Sequence, residues 1–366
     1  MFSSSIILRT AAVVVLLSGS VLSFTAVPTN PAFSNANWKK LPHVTNKFRP
    51  RITSSLRMAY EVTGDRMKLP KGSHVALITP FLPPSSPDDD LEIDYDTLRT
   101  IVRWHVESKT DALCILGTTS EASVMTMEER ANIINLVMEE CKGKVPIIVG
   151  TGTINPKTVI EYTKQAESLG ADGVLVVTPY YVKPTPRGLI SHYSRIAASS
   201  PLPIIMYNVP SRTGIDMSPE TAAECYKIPG VAGIKDATGQ VERVDAFREI
   251  MGEDFLLLSG DDETGAEFVL RGGDGVISVT SNVVPDVQHE IMAAANAGDR
   301  EKVGRLNGPL EILHQRLFIE SNPIPTKFAL HQMGRVGCDA CRPPLHELSA
   351  HNYEPMKEAL AKSGLI

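Results

Sequence analysis

"DALCILGTTSEASVMTMEERANIINLVMEECKGKVPIIVGTG" (residues 111–152) contains one complete repeat of the chain's construction. A short apolar run ends in Gly-Thr-Thr, "MEERANIINLVMEECK" (127–142) then places apolar residues at helical spacing, and a second β-branched run ends in Gly-Thr-Gly. Strand, helix, strand in that order reads as a βα unit on a parallel sheet. The same alternation extends in both directions. Upstream lie "SHVALITPF" (73–81) and the helical "DYDTLRTIVRWHVES" (94–108); downstream come "DGVLVVTP" (172–179), "LPIIMYNVP" (202–210), "VAGIKDAT" (231–238), "DFLLLSGDD" (254–262) and "GVISVTSN" (275–282). With 111–119 and 145–152 these make eight runs, which predicts an α/β fold, a closed (β/α)8 TIM barrel over residues 66–284. A doubly wound sheet would want a glycine-rich phosphate turn after its first strand, where "ITPFLPPSS" (78–86) offers prolines. Residues 285–366 continue as helical pattern, "VQHEIMAAANAGDREKVGRLNGPLEILHQRLF" and "NYEPMKEALAKSGL", predicting the last barrel helix and a C-terminal helical appendage.

The first 60 residues hold seven Lys or Arg and no Asp or Glu, so they read as an address. Arg9 precedes "AAVVVLLSGSVL" (11–22), as long as a signal-peptide apolar region and shorter than the ~20 residues of a spanning helix. A basic, Ser/Thr-rich segment follows, with Phe24 just after a small-residue site. This resembles the bipartite presequence of algae with plastids of eukaryotic origin: a signal peptide (1–23), then a transit peptide and linker (24–65), with delivery to the plastid stroma expected in place of simple secretion. Without that segment the formal charge falls from −6 to about −13, which argues against nucleic-acid or membrane-surface partners and for small molecules. The five cysteines (114, 141, 225, 338, 341) suggest no disulfide framework. "CDAC" (338–341) has His331 and His346 nearby but no second pair at zinc-finger spacing, so a plain loop is the expectation.

In a (β/α)8 barrel, chemistry sits at the C-terminal ends of the strands. The polar residues there are Thr118 and Thr119, Tyr180 and Tyr181, Tyr207 and Asn208 with Arg212 beyond, Lys235, and Asp261 with Asp262. The two aspartates would point to opposite faces with no His or Glu converging, so no metal or other cofactor is implied. Lys235 is the unusual member. It ends the apolar run of "VAGIKDATG" (231–239), where it either snorkels to solvent or serves as a neutral nucleophile favoured by desolvation. A neutral lysine attacks the ketone of a keto acid, and the cationic Schiff base draws off electrons so that the adjacent carbon becomes a nucleophilic enamine. Hydroxyls relay protons and an arginine grips a carboxylate; taken singly, each of these residues also has an ordinary packing or surface role.

The motifs "GTTSEAS" (117–123), "VTPYY" (177–181), "YNVPSRTG" (207–214), "GIKDATG" (233–239), "LLSGDD" (257–262) and "GGDGVISVTSN" (272–282) together resemble the dihydrodipicolinate synthase family of Schiff-base aldolases, from about residue 72 onward. That family condenses pyruvate with aspartate semialdehyde at the first committed step of the diaminopimelate route to lysine. The resemblance implies Lys235 as the Schiff-base lysine, Tyr207 as proton donor and acceptor, and Thr119 as the hydroxyl linking it to Tyr181. It implies that Tyr181 comes from a neighbouring subunit, hence a homo-oligomer, a dimer or dimer of dimers. Thr118 and the Ile277 backbone would hold the pyruvate carboxylate and its surroundings, and Arg212 the semialdehyde carboxylate. One departure stands inside the signature: Ser120 occupies the usual glycine position, predicting a slightly reshaped loop. The competing readings are a sister aldolase such as N-acetylneuraminate lyase, a non-catalytic binding barrel, and a metal-dependent aldolase. The family's lysine-binding positions read here as Ala122, Met127, Arg130, Ile154 and Thr158, which predicts weak feedback inhibition by lysine.

Overall fold

The computed structural model describes residues 69–86 and 90–366; the two presequence segments lie outside the described residues. Eight parallel strands close into a barrel in sequence order: β1 (Gly72–Ala76), β2 (Ala112–Ile115), β3 (Ile147–Gly150), β4 (Gly173–Val177), β5 (Ile204–Asn208), β6 (Val231–Asp236), β7 (Leu256–Ser259) and β8 (Gly275–Ser278). Closure is made by β1 against β8, with Gly72 opposite Gly275 and Val75 opposite Ser278. The strands are buried on both faces because helices cover the outside and side chains fill the inside, which is why their sequences are continuous apolar runs and not alternating ones.

Each outer helix follows its strand and presents one apolar stripe inward. In Tyr95–Glu107, Leu98, Ile101, Val102 and His105 are buried, an i, i+3, i+4, i+7 set. Met127–Cys141 starts with a capping box: the Thr126 hydroxyl accepts from the Glu129 amide at 3.2 Å and the Glu129 carboxylate accepts from the Thr126 amide at 2.8 Å. Pro285 opens the last stave, Pro285–Asn296, at a position where a missing amide hydrogen costs nothing.

Beyond that stave the chain forms helices Arg300–Asn307, Glu311–Arg316, Ile324–Gln332 and Tyr353–Lys362. This region is more than an appendage, because residues 322–342 return to the C-terminal ends of the strands and bond to the loop after β2. Asn322 donates to Thr119, Lys327 pairs with Glu121, and the Arg342 amide donates to the Glu121 carboxylate at 2.8 Å. The Arg342 guanidinium reaches the Leu91 and Val124 carbonyls and the Glu129 carboxylate. Among the described residues no helix is long and apolar enough to cross a membrane.

Candidate active site

The parallel register of β5 and β6 pairs Tyr207 with Lys235 and Asn208 with Asp236. Since successive strand residues face opposite sides, the two pairs separate. Tyr207 and Lys235 share one face, with the lysine Nζ 4.5 Å from the centre of the tyrosine ring. Asp236 is held on the other face by Asn208 Nδ2 at 3.0 Å and Arg243 Nε at 2.8 Å. Burial pushes the Asp236 carboxyl above its ordinary value, with the Arg243 guanidinium opposing. The aspartate next to Lys235 in sequence is therefore not its counter-ion. Lys235 is 5% exposed and has no ion-pair partner among the described residues.

Room for the lysine comes from Gly260, just past β7. A Cβ there would stand 2.8 Å from Lys235 Cε and 2.6 Å from Ala237 Cβ, so only glycine lets the side chain lie along this wall.

Lys235 opens into a cavity of about 440 Å³ lined by Thr118, Thr119, Tyr207, Arg212, Asp261 and Asn322, among others. Arg212 sits on the short helix Pro210–Thr213, exposed at the mouth and without an ion-pair partner among the described residues. Thr119 is buried and its hydroxyl accepts from Asn322 Nδ2 at 2.8 Å, whereas Thr118 is exposed. A second cavity of similar volume shares Thr118, Tyr207 and Arg212 with the first and continues past Ala122 to Arg130, Thr153, Tyr162 and Tyr180.

Other sequence candidates fall elsewhere. Tyr181 is 88% exposed with φ of 65° and lines neither cavity, so the single chain does not bring it to Lys235. Ile277 is buried in β8 opposite His74 and lines neither cavity; Val279 reaches the first. The aspartates after β7 are occupied by structure: Asp261 caps helix Asp262–Leu270 through the Thr264 amide at 3.0 Å, and Asp262 accepts from the Val279 and Thr280 amides at 2.8 and 3.1 Å. Among the described residues no group of three or more His, Cys, Asp or Glu is placed to hold a metal. Near "CDAC", His331 turns to the Val336 carbonyl, and burial pushes the Cys341 thiol up to about 12.

The serine that stands in the usual glycine position is accommodated without a left-handed backbone. Ser120 has an ordinary negative φ, and its hydroxyl donates to the Leu77 carbonyl at 2.5 Å, tying the loop to the end of β1. Its neighbour Glu121 is left-handed, φ 57°, and is held by Lys327 and the Arg342 amide, while Leu116 at the start of the same loop is left-handed as well, φ 54°. Sequence reading missed Asn322, Lys327 and Arg342. The available signal was polar and charged residues inside the otherwise apolar "NPIPTKFAL" (322–330) of a helical region. Lys327 is a second buried lysine, but unlike Lys235 it is neutralised by a carboxylate.

The same barrel occurs in known proteins. A family model described as "Dihydrodipicolinate synthetase family" matches residues 69–363. A Methylococcus capsulatus protein named 4-hydroxy-tetrahydrodipicolinate synthase is 46% identical over 296 residues, covering 81% of this chain and 99% of its own. Its Pseudomonas aeruginosa namesake is 43% identical over 295 residues, covering 81% and 99%. Among solved structures, the chloride-inhibited dihydrodipicolinate synthase of Acinetobacter baumannii, complexed with pyruvate, superposes with a TM-score of 0.77 at 44% identity, covering 81% of this chain and 99% of that one. The Cyanidioschyzon merolae enzyme with lysine bound gives 0.75 at 33% identity, covering 81% and 99%. From its first barrel strand to its last helix, this chain belongs to the dihydrodipicolinate synthetase family.

Proposed function

We propose that this lyase condenses pyruvate with L-aspartate 4-semialdehyde to 4-hydroxy-tetrahydrodipicolinate, at the entry to lysine biosynthesis through diaminopimelate, by way of a Schiff base on Lys235. The observation that carries the reading is a buried lysine without a carboxylate partner, 4.5 Å from the Tyr207 ring, opening into a cavity whose mouth holds the unpaired Arg212. The Lys235 amine adds to the pyruvate ketone and water leaves; loss of a methyl proton gives an enamine, whose carbon attacks the aldehyde of the second substrate. Tyr207, with no hydrogen-bond partner for its hydroxyl among the described residues, takes and returns the protons. Arg212 receives the semialdehyde carboxylate as a charge-assisted pair.

The two threonines divide the work by their exposure. Thr118, exposed and shared by both cavities, is the one open to a Tyr181 supplied by a neighbouring subunit, while buried Thr119 faces the pyruvate carboxylate. This exchanges the roles that the family resemblance suggested. A homo-oligomer is supported by exposed large apolar residues on three adjacent βα segments: Met127 at the start of the helix after β2, Ile154 after β3, and Tyr180, Tyr181 and Val182 after β4. The acid-free, basic first 60 residues support delivery to the plastid stroma.

We also propose weak inhibition by lysine. Arg130 is buried, stacked 4.0 Å from the Tyr162 ring, and donates to the Gly150 carbonyl at 2.7 Å with no carboxylate partner among the described residues. A cationic ligand entering the second cavity meets this fixed charge, and Met127 and Ile154, which stand at two further positions of the family's lysine site, are apolar, exposed and outside the lining of that cavity. Inhibition half-complete at roughly tens of micromolar lysine would show a different ligand set and refute this.

The central test is borohydride reduction with pyruvate present. A pyruvate adduct on Lys235 supports the Schiff base, and no adduct refutes it. Turnover with aspartate semialdehyde then separates this activity from that of a sister aldolase.

A further inference from the structure

We propose that Asn322 is a positioning residue that fixes the direction of the Thr119 hydroxyl hydrogen, making Thr119 a donor toward the carboxylate of pyruvate. The inference rests on the functional reading above and goes beyond it, to a residue from the C-terminal region far outside the barrel strands.

A threonine hydroxyl has one hydrogen and two acceptor sites. Thr119 Oγ1 accepts from Asn322 Nδ2 at 2.8 Å, in a contact buried from water. One acceptor site is thus filled, and the hydroxyl hydrogen cannot point back at the amide; it is left for an acceptor in the cavity that both residues line. The amide's Oδ1 is turned away from Thr119 and faces the Thr326 hydroxyl in a long contact of 3.4 Å, one turn along helix Ile324–Gln332. A carboxylate offers only acceptors, so a hydroxyl held as a donor suits it, and one free to turn its lone pairs inward does not. Asn322 itself is 6% exposed and sits beside Ser321 and Glu320 on the cavity wall.

Asn322→Asp tests this with almost no change of shape. An ionised carboxylate at this position takes the Thr119 hydrogen for itself and turns a lone pair toward the substrate. Half-saturation by pyruvate, read as borohydride-trapped adduct on Lys235, should weaken roughly tenfold to a hundredfold relative to wild type. As pH is lowered and the introduced carboxylate gains a proton, it becomes a donor again and the ratio of variant to wild type should fall back toward one. A residue that merely held the loop in place would give no such recovery. Asn322→Ala in wild-type and Thr119→Val backgrounds supplies the second measurement: if Asn322 acts through Thr119, the alanine change has little further effect once the hydroxyl is gone. An Asn322→Asp protein that binds pyruvate as tightly as wild type, a defect that does not vary with pH, or additive effects in the cycle would each overturn the proposal. Absence of any adduct in the wild type would instead overturn the Schiff-base reading.

Discussion

Replacing Lys327 by Met tests whether the C-terminal region holds the loop after β2 by a buried ion pair. Lys327 and Glu121 have side chains only 1% exposed, and the lysine also donates to the Ala340 carbonyl at 2.9 Å and lies 3.9 Å from the Phe81 ring centre. Methionine keeps most of the stem volume but leaves the Glu121 carboxylate buried without its cation. Breaking a buried pair from one side costs about 3–5 kcal/mol. Glu121 keeps the Arg342 amide at 2.8 Å, which places this case near the lower end, about 3 kcal/mol. Adding Glu121→Gln removes the stranded charge, so the double variant should recover about 2 kcal/mol of that loss, a coupling of the size seen for residues in contact. Denaturant midpoints of the four proteins measure this, and kcat reports the loop, since Glu121 lies two residues from Thr119. A Lys327→Met protein within about 1 kcal/mol of wild type, or a double variant showing the plain sum of the two single losses, would refute the reasoning.

Arg212→Ala should raise the KM for aspartate semialdehyde far more than that for pyruvate; equal effects would place the arginine elsewhere in the mechanism. Gly260→Ala should leave the protein folded but lower kcat roughly tenfold to a hundredfold, because the new methyl displaces the Lys235 stem that now passes within 2.8 Å of its position; unchanged adduct formation with pyruvate would contradict this. Stability should fall as pH drops from about 6.5 toward 4. Burial lowers His74 and His192 to about 4 and His105 to about 3, so in this window the unfolded chain binds protons that the folded one refuses. Each group contributes on the order of 3 kcal/mol when the effect is fully developed, and a thermal midpoint that stays flat from pH 7 to roughly 4.5 would rule the mechanism out.

The barrel was legible from the sequence because each βα unit is a local statement: a buried parallel strand must be a short apolar run, and the helix covering it must carry one apolar stripe. Lys235 was legible for the same reason, since a lysine ending such a run contradicts its surroundings. The chain order also sufficed to place Tyr207, Arg212 and Thr118 at one end, because in this architecture every strand's C-terminal end faces the same way. What the linear pattern did not contain was side-chain direction and contact across more than 200 residues. Asn322 and Thr119 are 203 positions apart and meet only because the C-terminal helices fold back over the barrel mouth. The division between a buried Thr119 and an exposed Thr118 depends on that same cover. Glu121 shows it again: its left-handed backbone goes with its bonds to Lys327 and to the Arg342 amide, and no local rule singles it out. Local periodicity determines which elements form and which way their ends point; the partners of a buried polar group are decided by whatever distant segment closes over it, and that only the tertiary structure supplies.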